Sequence, residues 1–215
     1  SMSEKLNIEI SKIVKSLPED YFVSKEALSY YKNYDGCDDF LLSKKLIKEI
    51  WKWFSQNLLN YSTIGDRDIP ASVSILHTNS GAGKILEDAP KNSLITAYNI
   101  DYVCKRICDF VCQERKKEGS YYSHLRDISQ YFAVCNTDST RKYSIVITQP
   151  SSKMTYYKGV DCVGDEESKD PLDYYTQRSL HFVDEDGFLV VIYEPSQSEE
   201  MKRIVGGLAV IVEKE

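Results

Sequence analysis

The chain has 215 residues, of which 42% are hydrophobic and 28% are charged, with 10 glycines and 6 prolines. These values predict one globular domain with a sizeable core, and they exclude a collagen-like, low-complexity or linker-rich chain. The sequence contains no apolar run long enough to span a membrane, and we expect no signal peptide. The formal net charge of −6 neither indicates nor excludes nucleic-acid binding, since a local basic face suffices for it.

The cysteines and histidines indicate no metal site. The six cysteines are Cys37, Cys104, Cys108, Cys112, Cys135 and Cys162, and the histidines are His77, His124 and His181. Three cysteines, from position 104 to 112, recur at helical spacing, and one stripe of a helix does not easily surround a tetrahedral metal. We interpret them as buried small apolar residues. Because nothing suggests a disulfide framework, a reducing cytoplasm fits this chain.

The first 60 residues are predicted to be helical and to pack on a core formed by residues 61–215. Apolar spacing predicts helices over residues 4–16 and 24–32, and a third helix that begins after Ser43. The third carries the strongest apolar stripe, which consists of Leu46, Ile47, Ile50, Trp51, Phe54 and Leu58.

Beyond residue 70, predicted strands and helices alternate. The predicted strands are 72–76, 93–98, 142–148, 187–193 and 207–212, and the predicted helices are 83–87, 101–118 and 171–183. Residues 121–134 fit either a short strand near 122–125 or a helix from Asp127, and residues 151–170 are expected to form a loop. Apolar runs without alternation are typical of strands covered on both faces, so we predict an α/β fold with a mostly parallel sheet flanked by helices.

A small polar loop with two glycines follows the first predicted strand, from Thr78 to Gly83. In a strand–turn–helix unit, backbone N–H groups face a polar ligand, and glycines let the main chain approach it. On this basis Gly83→Val is expected to exclude a ligand while leaving the fold intact. A P-loop is excluded, because Thr78 and Ile85 stand where that motif has Gly and Ser or Thr. An ordinary βα turn remains the alternative.

The second predicted strand ends in two polar residues, Asn99 and Asp101. They lie near the distance, about 20 positions beyond the glycines, at which nucleotide-binding units hold ribose hydroxyls. Ligands of parallel sheets lie beyond the carboxyl ends of the strands. We therefore expect the loops after Leu76, Tyr98 and Thr148 to border one crevice.

These elements resemble the class I S-adenosylmethionine-dependent methyltransferases, and within them the adenine-N6 DNA methyltransferases of restriction–modification systems. Residues 76–86 are similar to that family's L-[DE]-P-[ST]-A-G-x-G-x-[FL]-L cofactor loop, and residues 98–101 to its G-x-E-x-D segment. Residues 40–44 stand where the family has an F-x-T-P turn. Residues 143–150 resemble the strand that leads to its catalytic [DNS]-P-P-[YF] tetrad. The resemblance covers roughly residues 35–195 and implies a Rossmann-like methyltransferase fold, whose domain we expect to span residues 61–215.

The resemblance also implies S-adenosylmethionine as the cofactor, DNA as a partner and a possible specificity or partner subunit. The cofactor-binding positions that it implies are Ser43, Thr78, Asn79, Ser80, Gly81, Gly83, Asn99, Asp101, Asp127 and Ile128. The catalytic positions are Gln149, Pro150 and Ser151. In this assignment the Gln149 side chain and the main chain at Pro150 orient the target amine.

The sequence departs from the family at four positions. His77 and Asn99 replace acids, and an acid restored by Asn99→Glu is expected to strengthen a weak interaction with the cofactor. Gln149 places its amide oxygen one methylene further out, and Ser152 cannot stack on a flipped base. Two functions stay open: a methyltransferase that needs a partner for DNA recognition, and a non-catalytic binding subunit. A third is methylation of another amine, such as a protein glutamine or an RNA base.

Overall fold

A computed structural model describes residues 2–21, 44–57, 73–90, 93–113, 120–132, 141–150, 170–206 and 210–213. The helices are α1 (Met2–Lys15), α2 (Lys44–Asn57), α3 (Tyr102–Cys112), α4 (Ile128–Phe132), α5 (Pro171–Leu180) and α6 (Ser198–Val205). The strands are β1 (Ser74–His77), β2 (Leu94–Asn99), β3 (Ser120–Leu125), β4 (Tyr143–Thr148), β5 (Val183–Tyr193) and β6 (Val210–Glu213). Two 3-10 helices span Lys84–Asp88 and Pro195–Gln197. No helix of these described ranges is long and apolar enough to cross a membrane.

The six strands form one sheet in the order β3-β2-β1-β4-β5-β6, and each neighbouring pair is parallel. His77 at the end of β1 is in register with Ala97 of β2 and Ile147 of β4. The chain winds outward in one direction from β1 to β3 and in the other from β4 to β6. The gap between β1 and β4 is therefore the topological switch point, outside which open α/β sheets bind their ligands.

Helices cover both faces of the sheet, and successive strand residues enter different cores because side chains of a strand alternate between faces. Ile75 joins a core built from α1, α2 and α3, whereas Leu76 joins a core built from α4, α5 and α6. Ile145 and Val146 of β4 divide in the same way. Two covered faces explain the continuous apolar runs, and the predicted mostly parallel α/β sheet is confirmed.

The N-terminal helices pack on the first of these cores. Leu6 and Ile10 of α1 are buried in it, and the Trp51 indole N–H of α2 donates a hydrogen bond to the Ile85 carbonyl oxygen at 2.8 Å. The thiols of Cys104, Cys108 and Cys112 of α3 are buried in the core and form no disulfide with one another, which confirms their interpretation as core residues. The domain boundary at residue 60 and the helix over 24–32 lie outside the described residues and stay predictions.

The structure differs from the sequence prediction around β3 and β5. The segment 121–134 contains both predicted alternatives, since β3 is followed directly by α4. The helix predicted over 171–183 ends at Leu180, and β5 begins at Val183. An irregularity in the β4–β5 pairing explains the longer strand: Tyr143 pairs with Val183, but Ile145 pairs with Phe188. The α6 helix was not predicted.

Gly187 makes this irregular pairing possible. A Cβ atom there would lie 2.7 Å from the Ser144 carbonyl oxygen and 2.9 Å from that of Tyr143, both of which are backbone atoms. The preceding acidic residues, Asp184 to Asp186, are exposed, so the apolar pattern that marks the rest of β5 begins only after them.

Candidate functional site

The loop after β1 forms a tight turn at the switch point. Gly81 and Gly83 have φ angles of 54° and 81°, in the left-handed region that favours glycine. The Ser80 N–H donates to the Tyr98 carbonyl oxygen at 2.9 Å, and the Gly83 N–H donates to the Ser80 carbonyl oxygen at 2.9 Å. The first bond ties the turn to the end of β2, so the loops after β1 and β2 lie together as predicted.

Gly83 packs against α3. A Cβ atom on Gly83 would lie 2.5 Å from the Cys108 Sγ atom. The missing side chain therefore gives room to a helix, which is one of the roles of glycine in such turns. This contact argues against the expectation that Gly83→Val leaves the fold intact, because an added side chain would overlap Cys108 of α3.

Asn79 joins the loop after β1 to the loop after β4. Its Nδ2 donates to the Gln149 carbonyl oxygen at 2.5 Å, and its Oδ1 accepts from the Gln149 N–H at 3.0 Å. The buried Thr78 and Thr148 hydroxyl oxygens lie 2.7 Å apart, and Thr78 Oγ1 is also 2.9 Å from Asn79 Oδ1. The predicted catalytic residue Gln149 and the predicted cofactor loop are thus in direct contact.

Asn99 joins the ends of the first two strands. Its Nδ2 donates to the Gly81 carbonyl oxygen, and its Oδ1 accepts from the Asp101 N–H at 3.1 Å. The side chain is buried. Both ends of this carboxamide are engaged by the main chain, so Asn99 holds the Gly81 turn against the loop after β2.

Asp101 and Ile100 lie at the outer end of β2. Asp101 precedes α3, and its Oδ1 accepts a capping hydrogen bond from the Cys104 N–H at 2.8 Å. Within the described chain no group donates to its other carboxylate oxygen. Ile100 is 75% exposed beside it. Sequence reasoning missed Ile100, although an apolar residue inside a polar turn was a signal for it.

Asp127 lies between β3 and α4, as Asp101 lies between β2 and α3. Its Oδ1 accepts from the Ser129 N–H at 2.9 Å, from the Ser129 hydroxyl at 2.8 Å and from the Tyr175 hydroxyl at 3.3 Å. The side chain of the neighbouring Ile128 is buried in the core. Burial and the Asp127 charge raise the pKa of Tyr175 above its usual range. Tyr175 was missed, since nothing in the sequence connects α5 with this position.

His77 stands where the sequence resemblance leads us to expect an acid, and it supplies no charge. It is 2% exposed, and burial lowers its pKa from 6.5 to about 3. Its Nδ1 accepts a hydrogen bond from the Asn79 N–H at 3.3 Å, which requires an unprotonated Nδ1. His77 is therefore a neutral residue that supports the turn.

The structure brings together most of the predicted site residues at the carboxyl edge of the sheet. They are Thr78, Asn79, Ser80, Gly81, Gly83, Asn99, Asp101, Asp127, Ile128, Gln149 and Pro150. Ser43, Ser151 and Ser152 lie outside the described residues.

The comparisons with known proteins concern the fold. No protein-family model matches the chain, and no curated protein matches it significantly. A solved structure, the SAM-dependent methyltransferase from Agrobacterium tumefaciens, is similar with a TM-score of 0.53 at 14% identity, over 78% of this chain and 53% of its own. The chain has a Rossmann-like methyltransferase fold.

Two further solved methyltransferases are similar at lower TM-scores. A putative class I S-adenosylmethionine-dependent methyltransferase from Listeria monocytogenes gives a TM-score of 0.47 at 13% identity, over 88% of this chain and 54% of its own. The SAM-dependent methyltransferase from Thiobacillus denitrificans, in complex with S-adenosyl-L-homocysteine, gives 0.47 at 9% identity, over 79% and 55%. The present chain covers about half the length of each of these three solved proteins.

Proposed function

We propose that this chain binds S-adenosylmethionine beyond the carboxyl ends of β1, β2 and β3 and transfers its methyl group to an exocyclic amine at Gln149. Adenine N6 in DNA, presented with the help of a second recognition chain, is the substrate that we propose. The observation that carries this proposal is the direct pairing of Asn79 with the Gln149 main chain. In support of the proposal, the glycine turn of a methyltransferase fold lies beside the residue to which the sequence resemblance assigns the acceptor role.

The residues at the carboxyl edge fit an adenosine group. Asp101 and Asp127 each use one carboxylate oxygen for hydrogen bonds near a helix start, and in the described chain the other oxygen accepts none. A ribose hydroxyl suits the second oxygen of Asp101, and the exocyclic amine of the cofactor's adenine suits that of Asp127, because both ligand groups donate hydrogen bonds. The exposed Ile100 offers apolar surface to the face of the base.

The acceptor side fits a primary amine. The N–H and the carbonyl of Gln149 are both paired with Asn79. We assign the amine to the Gln149 side-chain oxygen and the Pro150 carbonyl. Two acceptors suit the two hydrogens of an amine and turn its lone pair toward the methyl group. When bound, S-adenosylmethionine supplies an electrophilic methyl group. The N–C bond would form as the S–C bond breaks, the sulfonium would leave as a neutral thioether, and the methylated amine would pass its extra proton to solvent water.

A non-catalytic binding subunit is the second candidate function. The two positions at which the family has acids carry a neutral buried histidine and an amide whose donor and acceptor are both engaged. Both features favour weak cofactor binding. Ser152, in place of an aromatic residue, removes a base-stacking contact worth about 1–3 kcal/mol.

Calorimetry with S-adenosylhomocysteine, followed by a tritium-transfer assay on unmethylated mixed-sequence DNA, tests the proposal. Binding of S-adenosylhomocysteine is required, and its absence overturns the cofactor assignment. We expect little transfer by the wild type alone. Transfer by a Gln149→Asn, Ser151→Pro, Ser152→Phe variant would support the acceptor assignment, whereas a silent variant that still binds the cofactor would mean that the recognition chain is missing from the assay.

A further inference from the structure

The Asn79 side chain continues the β1–β4 ladder beyond the point where the two main chains separate. The last main-chain bond between these segments runs from the Thr78 N–H to the Ile147 carbonyl oxygen at 3.0 Å. At the next residue, the Asn79 side-chain carboxamide makes the hydrogen bonds that the main chain of a neighbouring strand would make. It pairs with both the N–H and the carbonyl oxygen of Gln149. We call this pair of hydrogen bonds the Asn79–Gln149 bridge.

The bridge spans the gap that the topology opens. After β1 the chain turns toward the face covered by α3, with Gly83 against Cys108, whereas the next described element after Pro150 is α5, on the opposite face. Main-chain bonds cannot hold two diverging segments together, but a short side chain with one donor and one acceptor can. The Thr78 and Thr148 hydroxyls, which directly precede the bridged residues in each segment, lie 2.7 Å apart and add a further contact between the two segments.

We propose that Asn79 is a positioning residue for methyl transfer. It fixes the main chain of Gln149, so that the Gln149 side chain and the Pro150 carbonyl face the crevice as the two amine acceptors. This assignment differs from the sequence expectation, which made Asn79 a cofactor ligand. Its catalytic part rests on the proposed function, but the bridge itself is measurable without any activity.

Amide hydrogen exchange measured by NMR tests the bridge. In Asn79→Ala we expect the Gln149 amide to exchange faster by about tenfold or more, because its acceptor is lost. The Val146 amide, in the middle of β4, is expected to exchange as in the wild type. Asn57→Ala is the matched control, since Asn57 is exposed on α2 and its side chain bonds to the Trp53 carbonyl oxygen of the same helix.

The Asn79→Asp variant distinguishes positioning from general structural support. Its carboxylate still accepts from the Gln149 N–H but faces the Gln149 carbonyl oxygen without a proton to donate. Below the pKa of the introduced carboxyl, the protonated form again has one donor and one acceptor. Gln149 protection, corrected for intrinsic exchange, is therefore expected to rise as pH falls in Asn79→Asp, but not in Asn79→Ala.

Kinetics with the tetrad-rebuilt variant as the parent separate the two proposals. Adding Asn79→Ala is expected to lower the rate of methyl transfer by about tenfold or more while the Kd for S-adenosylhomocysteine changes by less than about threefold. Unchanged amide exchange at Gln149 in Asn79→Ala would contradict the Asn79–Gln149 bridge.

If Asn79→Ala loses affinity for S-adenosylhomocysteine as much as it loses rate, Asn79 is a cofactor ligand and not a positioning residue. A wild type that does not bind S-adenosylhomocysteine overturns the proposed function and the catalytic role of Asn79, whereas the exchange data then decide whether the bridge exists.

Discussion

Gly83 and Cys108 are in such close contact that a Cβ atom on Gly83 would overlap the Cys108 side chain. A Cβ atom on Gly83 would lie 2.5 Å from the Cys108 Sγ atom and 3.2 Å from its Cβ atom. Gly83 also has a φ angle of 81°, which is unfavourable for other residues. Cys108 is buried on α3, so the turn after β1 rests directly on that helix.

Gly83→Ala is expected to lower the free energy of unfolding by about 2–4 kcal/mol, through backbone strain together with overpacking against α3. Gly206→Ala is the matched control. Gly206 has a φ angle of 55°, but nothing lies within 4 Å of the added Cβ, so only the backbone strain remains. We expect about 1 kcal/mol for the control. Urea unfolding followed by circular dichroism measures both.

The packing part of this effect is tested in a Cys108→Ala background, which removes the Sγ atom. There Gly83→Ala is expected to cost about 1 kcal/mol less than in the wild type, as a double-mutant cycle would show. Equal costs for Gly83→Ala and Gly206→Ala, with no coupling to Cys108, would mean that the turn does not rest on α3.

Sequence reasoning was most successful where a single local pattern decides the structure. The apolar runs around Ile75, Ile95, Ile145 and Val190 predicted strands covered on both faces, since such runs depend only on burial. The start of β5 was missed because exposed acidic residues interrupt the pattern, and its pairing depends on Gly187, which no neighbouring residue signals. Propensity is weak evidence where the register between two distant strands decides the geometry.

The site was predicted by position but not by bonding. The strand order led us to expect Asn79, Asn99 and Gln149 near one crevice, and in the structure Asn79 bonds to Gln149 and Asn99 bonds to Gly81. Which way a carboxamide points depends on main-chain groups up to 70 residues away, such as the Gln149 carbonyl that Asn79 contacts. The same holds for Tyr175, whose contact with Asp127 exists only after α5 has packed. Such partners follow from tertiary packing, which local patterns do not encode.

The buried His77 predicts a specific pH dependence of stability. Its pKa is about 3 in the folded chain against 6.5 ordinarily, so between these values the unfolded chain binds a proton that the folded chain does not. Stability therefore falls as pH decreases through this window. Near pH 5 the contribution is about 2 kcal/mol relative to neutral pH.

The measurement compares urea unfolding of the wild type and His77→Gln at neutral pH and near pH 5. Carboxylates titrate in both proteins, so their effect cancels in the comparison. We expect the variant to lose about 2 kcal/mol less than the wild type on acidification. Parallel pH profiles would show that His77 is not buried as a neutral group.

The ribose assignment predicts different roles for Asn99 and Asp101, two polar residues separated by Ile100. Asp101→Asn keeps an oxygen to cap α3 but removes the charge, so the Kd for S-adenosylhomocysteine is expected to rise by about fivefold, the equivalent of about 1 kcal/mol. Asn99→Asp loses the donor to the Gly81 carbonyl oxygen and places a carboxylate beside it. We expect it to weaken binding and to lower stability by about 1–3 kcal/mol. Tighter binding by Asn99→Asp or Asn99→Glu, with unchanged stability, would instead make residue 99 the ribose acceptor.

The adenine assignment predicts a change of ligand preference at Asp127. Its Oδ1 accepts from Ser129 and Tyr175, and Asp127→Asn keeps that oxygen in place while its other atom becomes an N–H₂ donor. A donor repels the exocyclic amine of adenine but pairs with the carbonyl oxygen of hypoxanthine. Calorimetry is therefore expected to show an affinity for S-adenosylhomocysteine about tenfold lower and a higher affinity for the inosine analogue.

Tyr175→Phe is the control, because it removes one donor to the Asp127 Oδ1 atom and leaves the other carboxylate oxygen of Asp127 unchanged. It is expected to lower stability by about 1 kcal/mol with little effect on either ligand. An equal loss of both ligands in Asp127→Asn would show that Asp127 only supports the start of α4.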